Sequence, residues 1–231
     1  LIASEEQLER EAAFVDELAK SFEVIMPSPP GFGTSERPDW VSNPDDLAYA
    51  MLDVIDALKL KDVTLVGFSL GGWIAAEMAS KTTSNIAKLV MVDAYGVKIG
   101  GAWDRDIFDI WTSHPAKTAA AKWADPKLAE RDFSKMNDDQ LTVVARNTES
   151  FARFCWSPYM HNPNLRHRLH RIDVPTLFIW GEKDGITPLS YGEAYSKLVP
   201  GAKFVKIANA GHYPHLEATD AFMSALTGFI K

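Results

Sequence analysis

With 231 residues, 46% of them hydrophobic, the chain is large enough for one domain, or for a core carrying an insertion, and disorder is excluded as an overall description. A net charge of −7 argues against nucleic acid as a partner, which calls for a basic surface. The single cysteine, Cys155, rules out an internal disulfide and a cysteine-based metal site and suits a reducing compartment such as the cytoplasm, and no apolar run approaches the roughly 20 residues of a membrane span.

Along the chain, Leu8, Ala12, Val15, Leu18 and Ala19 form a helical stripe. Phe22-Glu23-Val24-Ile25-Met26 then reads as a strand, stopped by Pro27, Pro29 and Pro30. Asn43 caps the next helix, with Pro44 at its first position and an apolar face of Leu47, Met51, Val54, Ile55 and Leu58. Asp62-Val63-Thr64-Leu65-Val66 is a buried strand, and good helix formers follow from Gly72 to Ala79. Another strand runs over Lys88–Asp93, and alternation resumes with strands at Pro175–Trp180 and Lys203–Ile207, a helix near 189–199 between them and a last helix carrying Phe222, Ala225, Leu226, Phe229 and Ile230. Strands alternating with helices predict an α/β fold with a mostly parallel sheet covered by helices on both faces.

Between Asp93 and Val174 that alternation lapses. Helices are expected there at Trp103–Trp111, Ala116–Trp123 and Asp138–Phe154, in a stretch holding Trp103, Trp111, Trp123 and Trp156. The expected organisation is a core of 1–95 and 172–231 interrupted by a helical lid over 96–171, lying above the carboxyl ends of the strands where open α/β sheets bind ligands. Most of the lid aromatics pack the lid itself; Trp156 and Tyr159, with Phe32, Phe68 and Tyr213 from the core, are the candidates to face a substrate.

The chemistry is carried by Gly67-Phe68-Ser69-Leu70-Gly71, set between a strand and a helix. A serine on such a turn has its hydroxyl held into a cleft at a helix N-terminus, where the dipole favours developing negative charge. The backbone N–H of Leu70 is one donor for an oxyanion. A serine hydroxyl needs a base, and His212, in the loop after the last strand, is placed to serve. The imidazole in turn needs a carboxylate: Asp184, after the strand ending at Trp180, is preferred, with Asp93 at the end of the preceding strand as competitor. His215 reads as a helix-start residue.

The order Ser69, Asp184, His212, together with Pro30-Gly31-Phe32-Gly33-Thr34-Ser35, Trp180-Gly181-Glu182-Lys183-Asp184 and Gly211-His212, resembles the α/β-hydrolase superfamily, in particular its lidded serine esterases, carbon–carbon bond hydrolases and perhydrolases. The resemblance implies a hydrolase of small or medium carboxylic esters that works through an acyl-enzyme on Ser69, without metal or organic cofactor and with a small-molecule ester or related acyl compound as its partner. Alternatives are a carbon–carbon bond hydrolase of ring-cleavage products, for which Arg153 is a candidate to hold a substrate carboxylate, and a non-catalytic ligand-binding protein of the same fold.

One departure stands out: family members carry an early strand ending in His-Gly, whose loop gives a second oxyanion donor, and no His-Gly pair precedes Ser69. The sequence begins at Leu1-Ile2-Ala3-Ser4, expected just beyond that motif. The expectation is an N-terminally incomplete core, with unpaired backbone and an apolar slot between the strands at 22–26 and 62–67.

Overall fold

The computed structural model describes residues 1–6, 11–101 and 103–231. Its centre is a four-stranded, wholly parallel sheet, β1 (Val63–Phe68), β2 (Ile86–Val92), β3 (Thr176–Gly181) and β4 (Lys203–Ile207), in spatial order β1-β2-β3-β4. β1 to β3 are rich in apolar residues because both of their faces are covered, whereas the edge strand β4 is largely exposed, and successive side chains divide between the two layers. Leu89, Met91, Phe178 and Trp180 point to one layer; Val66, Phe68, Val90, Val92, Leu177 and Ile179 point to the other.

The first layer holds α2 (Pro44–Ala57), α3 (Leu70–Lys81) and α6 (Leu189–Ser196), and the second α1 (Glu11–Ala19) and α8 (Thr219–Ile230). The predicted cap of α2 is present: the Asn43 side chain accepts from Asp46 N at 3.1 Å, ahead of Pro44. In α1 the stripe is rotated from the expected one. Phe14 and Leu18 are its buried residues with Glu11, Ala12 and Ala19 are exposed, and Leu8 lies outside the described residues. Phe14 has more apolar area to bury than either alanine, so it sets which face turns inward.

Two expected elements are absent. Residues 22–26 form no strand: a ladder needs a paired neighbour, and among the described residues they belong to none. Leu1 N donates to Ile25 O at 2.7 Å, and Ile2 exchanges bonds with β1, donating to Val66 O at 2.8 Å and accepting from Phe68 N at 3.0 Å. Leu1 and Ile2 therefore lie between 22–26 and β1, and Ala3-Ser4 follow directly beside the Ser69 loop. Behind Leu1 is an apolar slot of about 300 Å³ lined by Val24, Ile25, Met51, Val54, Val63 and Leu65 among others.

The second missing element is the helix at 103–111, which is irregular. Aspartates in this stretch bind backbone amides, a known competitor of helix. Asp106 accepts from Ile99 N and Gly100 N, and Asp109 from Trp111 N and Thr112 N. The other two helices expected between Asp93 and Val174 form, as α4 (Pro115–Lys122) and α5 (Asp138–Cys155), and the short α7 (Pro214–Glu217) follows the His212 loop.

Candidate active site

Ser69 sits between β1 and α3 with φ 53° and ψ −116°, a left-handed conformation that the surrounding packing enforces. Its flanking glycines are required by close backbone approach. A Cβ on Gly67 would lie 2.3 Å from Gly71 O, and one on Gly71 would lie 2.2 Å from Ile2 O. Leu70 opens α3, so its N–H belongs to the first turn, which has no acceptor within the helix.

Two loops at the same sheet edge meet Ser69, and another glycine pair lets them touch. A Cβ on Gly181 would be 1.8 Å from Gly211 O. The end of α4 clamps both loops: Gly185 N donates to Ala121 O at 2.9 Å, and His212 N donates to Lys122 O at 2.7 Å. Glu217 completes the hold, accepting from Gly211 N at 2.6 Å and from Ala124 N at 2.8 Å.

In this frame Ser69 Oγ lies 2.8 Å from His212 Nε2, and His212 Nδ1 lies 2.8 Å from Asp184 Oδ2. All three residues are at most 4% exposed. Asp184 is itself fixed by Ile186 N, Thr187 N and the Thr187 hydroxyl, at 2.8, 3.1 and 2.5 Å. An imidazole so placed can take a hydroxyl proton from one side while the carboxylate stabilises the cation from the other.

Asp93, the competing acid, is fully buried and accepts from Gly181 N at 2.9 Å. Burial and the adjacent Asp184 charge push its carboxyl well above the usual range. It is the less suitable orienting anion, since the charged form is the one its surroundings penalise. Asp93, Asp184 and His212 also bring three ligand atoms within 4.8 Å, but the His212 and Asp184 atoms are already spent on each other.

The aromatic candidates fare unevenly. Phe32 is buried against Phe154, and Tyr213 packs edge-on to His212 and against Trp123. Phe68 does not face the cleft: alternation along β1 sends it to the α1/α8 layer, between Phe14, His215 and Phe222. Trp156 is 59% exposed and, with Tyr159, lines an outer groove beside Trp111. The Tyr159 hydroxyl is engaged with the backbone, donating to Phe108 O at 2.6 Å. Arg153 is exposed on α5.

Three neighbours of Ser69 escaped the sequence reading. Tyr95 stacks on His212 with ring centroids 5.3 Å apart. Buried Glu5 accepts from Ser69 Oγ at 2.7 Å and from Tyr95 OH at 3.3 Å. Lys122 pairs with Glu6 and lies 3.8 Å from Glu5 Oε1. Burial opposes the Lys122 charge, yet Glu6 and Glu5 together raise its pKa. None of these carries a motif; the one signal is the pair of carboxylates, Glu5-Glu6, directly after Leu1-Ile2-Ala3-Ser4.

The family model for the alpha/beta hydrolase fold matches residues 6–219. The chain belongs to this family. It is 27% identical to a 2-hydroxy-6-oxononadienedioate/2-hydroxy-6-oxononatrienedioate hydrolase of Paraburkholderia phymatum, over 94% of this chain and 79% of the relative. It is 28% identical to a 2-hydroxymuconate semialdehyde hydrolase of a Pseudomonas species, over 93% of this chain and 78% of the relative, and 28% identical to the human serine hydrolase BPHL, over 92% and 70%. Among solved structures, a meta-cleavage product hydrolase from Pseudomonas fluorescens IP01 superposes with TM-score 0.77 at 21% identity, covering 99% of this chain and 88% of that one. An esterase from Exiguobacterium antarcticum gives TM-score 0.71 at 19% identity, covering 99% and 90%. The relatives are hydrolases, and the structural likeness is one of fold.

Proposed function

We propose that the protein is a serine hydrolase acting on small or medium carboxylic esters, with 96–171 as its lid. The observation that carries this reading is the unbroken chain of two 2.8 Å contacts from Ser69 Oγ through His212 to Asp184. His212 removes the proton of Ser69 as the oxygen attacks the ester carbonyl, and the Leu70 N–H stabilises the oxyanion. His212 then protonates the departing alcohol, and water activated by the same imidazole releases the acid. No step calls on a metal or organic cofactor, and a reducing, cytoplasmic setting suits the lone Cys155.

A second reading has specific support. The Paraburkholderia and Pseudomonas relatives are named for hydrolysis of oxo-dienoic acids, so carbon–carbon bond cleavage of a ring-cleavage product is the alternative substrate chemistry for the same residues. Arg153, exposed on α5, is a weak anchor for such a substrate. A serine-directed phosphonate is expected to label Ser69 in the wild type and not in Ser69→Ala. Folded protein that neither labels nor hydrolyses a chromogenic short-chain ester or a ring-cleavage dienoate is a binding protein instead; faster turnover of the dienoate selects the second reading.

A further inference from the structure

Ser69 has two acceptors for a single proton. Its Oγ lies 2.7 Å from Glu5 Oε2 and 2.8 Å from His212 Nε2, and a hydroxyl donated to one is not donated to the other. The reacting carbonyl of a substrate must come to about 3 Å from this oxygen. With Ser69 only 1% exposed, the carboxylate of Glu5 stands in that space.

The carboxylate is held there by a defined set of groups. Tyr95 OH donates to Oε1 at 3.3 Å, and Lys122 Nζ is 3.8 Å from the same oxygen. The neighbouring residues tie the segment to the insertion: Glu6 pairs with Lys122 on α4, and its carbonyl accepts from Asn147 Nδ2 on α5 at 3.4 Å. Ser4 Oγ donates to Glu11 Oε1 at 3.2 Å on the core side. If Glu5 withdraws, Lys122 keeps Glu6 as a partner, so no buried cation is stranded.

We propose that Glu5 is an intramolecular ligand of the acyl site, its carboxylate standing where the acid half of the substrate binds, so that the enzyme works once the Glu5 side chain has swung out of it. The inference rests on the hydrolase reading and adds to it the chemical class that the site recognises: a small carboxylate, held by Ser69, Tyr95 and Lys122, as the acid product of hydrolysis would be. Electrostatics points the same way. A fixed negative charge about 4 Å from a developing oxyanion slows attack by about a thousandfold at an effective dielectric constant near 20.

The test compares wild type, Glu5→Ala and Glu5→Gln, each checked for folding by thermal unfolding. Two quantities are read: the rate at which an uncharged phosphonate diester labels Ser69, and the affinity for butyrate by calorimetry. Both variants are expected to label at least tenfold faster and to bind butyrate at least tenfold more tightly, and either one alone decides the matter if the other fails to fold. Labelling that is unchanged or slower, with unchanged butyrate affinity, overturns the inference and leaves the hydrolase reading standing. Tighter butyrate binding with no labelling in any of the three proteins upholds the carboxylate site and overturns the hydrolase reading.

Discussion

The two flanks of β1 are built on different terms. Toward β2 the strand has a partner for each of its six residues, from Val63 opposite Ile86 to Phe68 opposite Val92. On the far side, among the described residues, Ile2 alone bridges to Gly67, and the space beyond it is an apolar slot. The nucleophile turn depends on the first flank, since Ser69 N donates to Val92 O at 2.9 Å and the turn continues a complete ladder. The second flank decides what Ser69 faces, because the segment leaving Ile2 delivers Glu5. Position and environment of the same hydroxyl thus come from opposite sides of one strand.

The largest expected effect lies wholly at the C-terminal sheet edge. Asp184→Asn should lower kcat by about 10⁴-fold by removing the carboxylate that orients His212, read by steady-state ester kinetics. Retention of most of the activity would hand the orienting role to Asp93. Next comes the contrast between the flanks themselves. Leu89→Ala, in the fully buried ladder side, should cost about 3 kcal/mol in denaturant unfolding, and Val54→Ala, which faces the slot, under about 1 kcal/mol. Equal losses would mean that the slot is packed as tightly as the core.

Gly71→Ala falls between these values and probes the junction. Its methyl would meet Ile2 O at 2.2 Å, so the start of the chain must move away from the elbow, at about 2 kcal/mol. A smaller loss would show that the second flank yields easily. Glu217→Gln should lower kcat about tenfold, because both of its oxygens hold the loops that carry His212 and end α4. The smallest effect is a pH dependence of stability. Burial holds the His215 imidazole below its ordinary 6.5, with Glu11 at 3.8 Å only partly compensating. The folded state therefore refuses a proton that the unfolded chain accepts, so this contribution is fully present above pH 6.5 and is lost as the pH falls below it. His215→Phe, in a site already lined by Phe14, Phe68 and Phe222, should flatten the fall in Tm over that interval.

Much of this was legible in the chain because it is local. Gly67, Ser69 and Gly71 announce the elbow, since their spacing answers a steric demand within five residues, and Asn43-Pro44 announces a helix start for the same reason. The loops that carry His212 and Asp184 follow strands, and chain order reveals that placement. The strand at 22–26 was misread because its residues have strand composition, yet a ladder requires a neighbour and composition carries no information about one. The helix at 103–111 was misread because apolar spacing there competes with aspartates that capture backbone amides.

What the sequence determined by itself was most of the elements, the parallel sheet and the residues held at its C-terminal edge, all consequences of short-range periodicity and turn sterics. The tertiary structure alone decided that Phe68 turns away from the cleft, that α4 grips the loops of His212 and Asp184, and that Glu5 meets Ser69 across 64 positions of chain. Those outcomes depend on which surfaces bury one another and on where buried charges find partners. Such matters are settled by the whole packed molecule, since no short window of residues contains both sides of the contact.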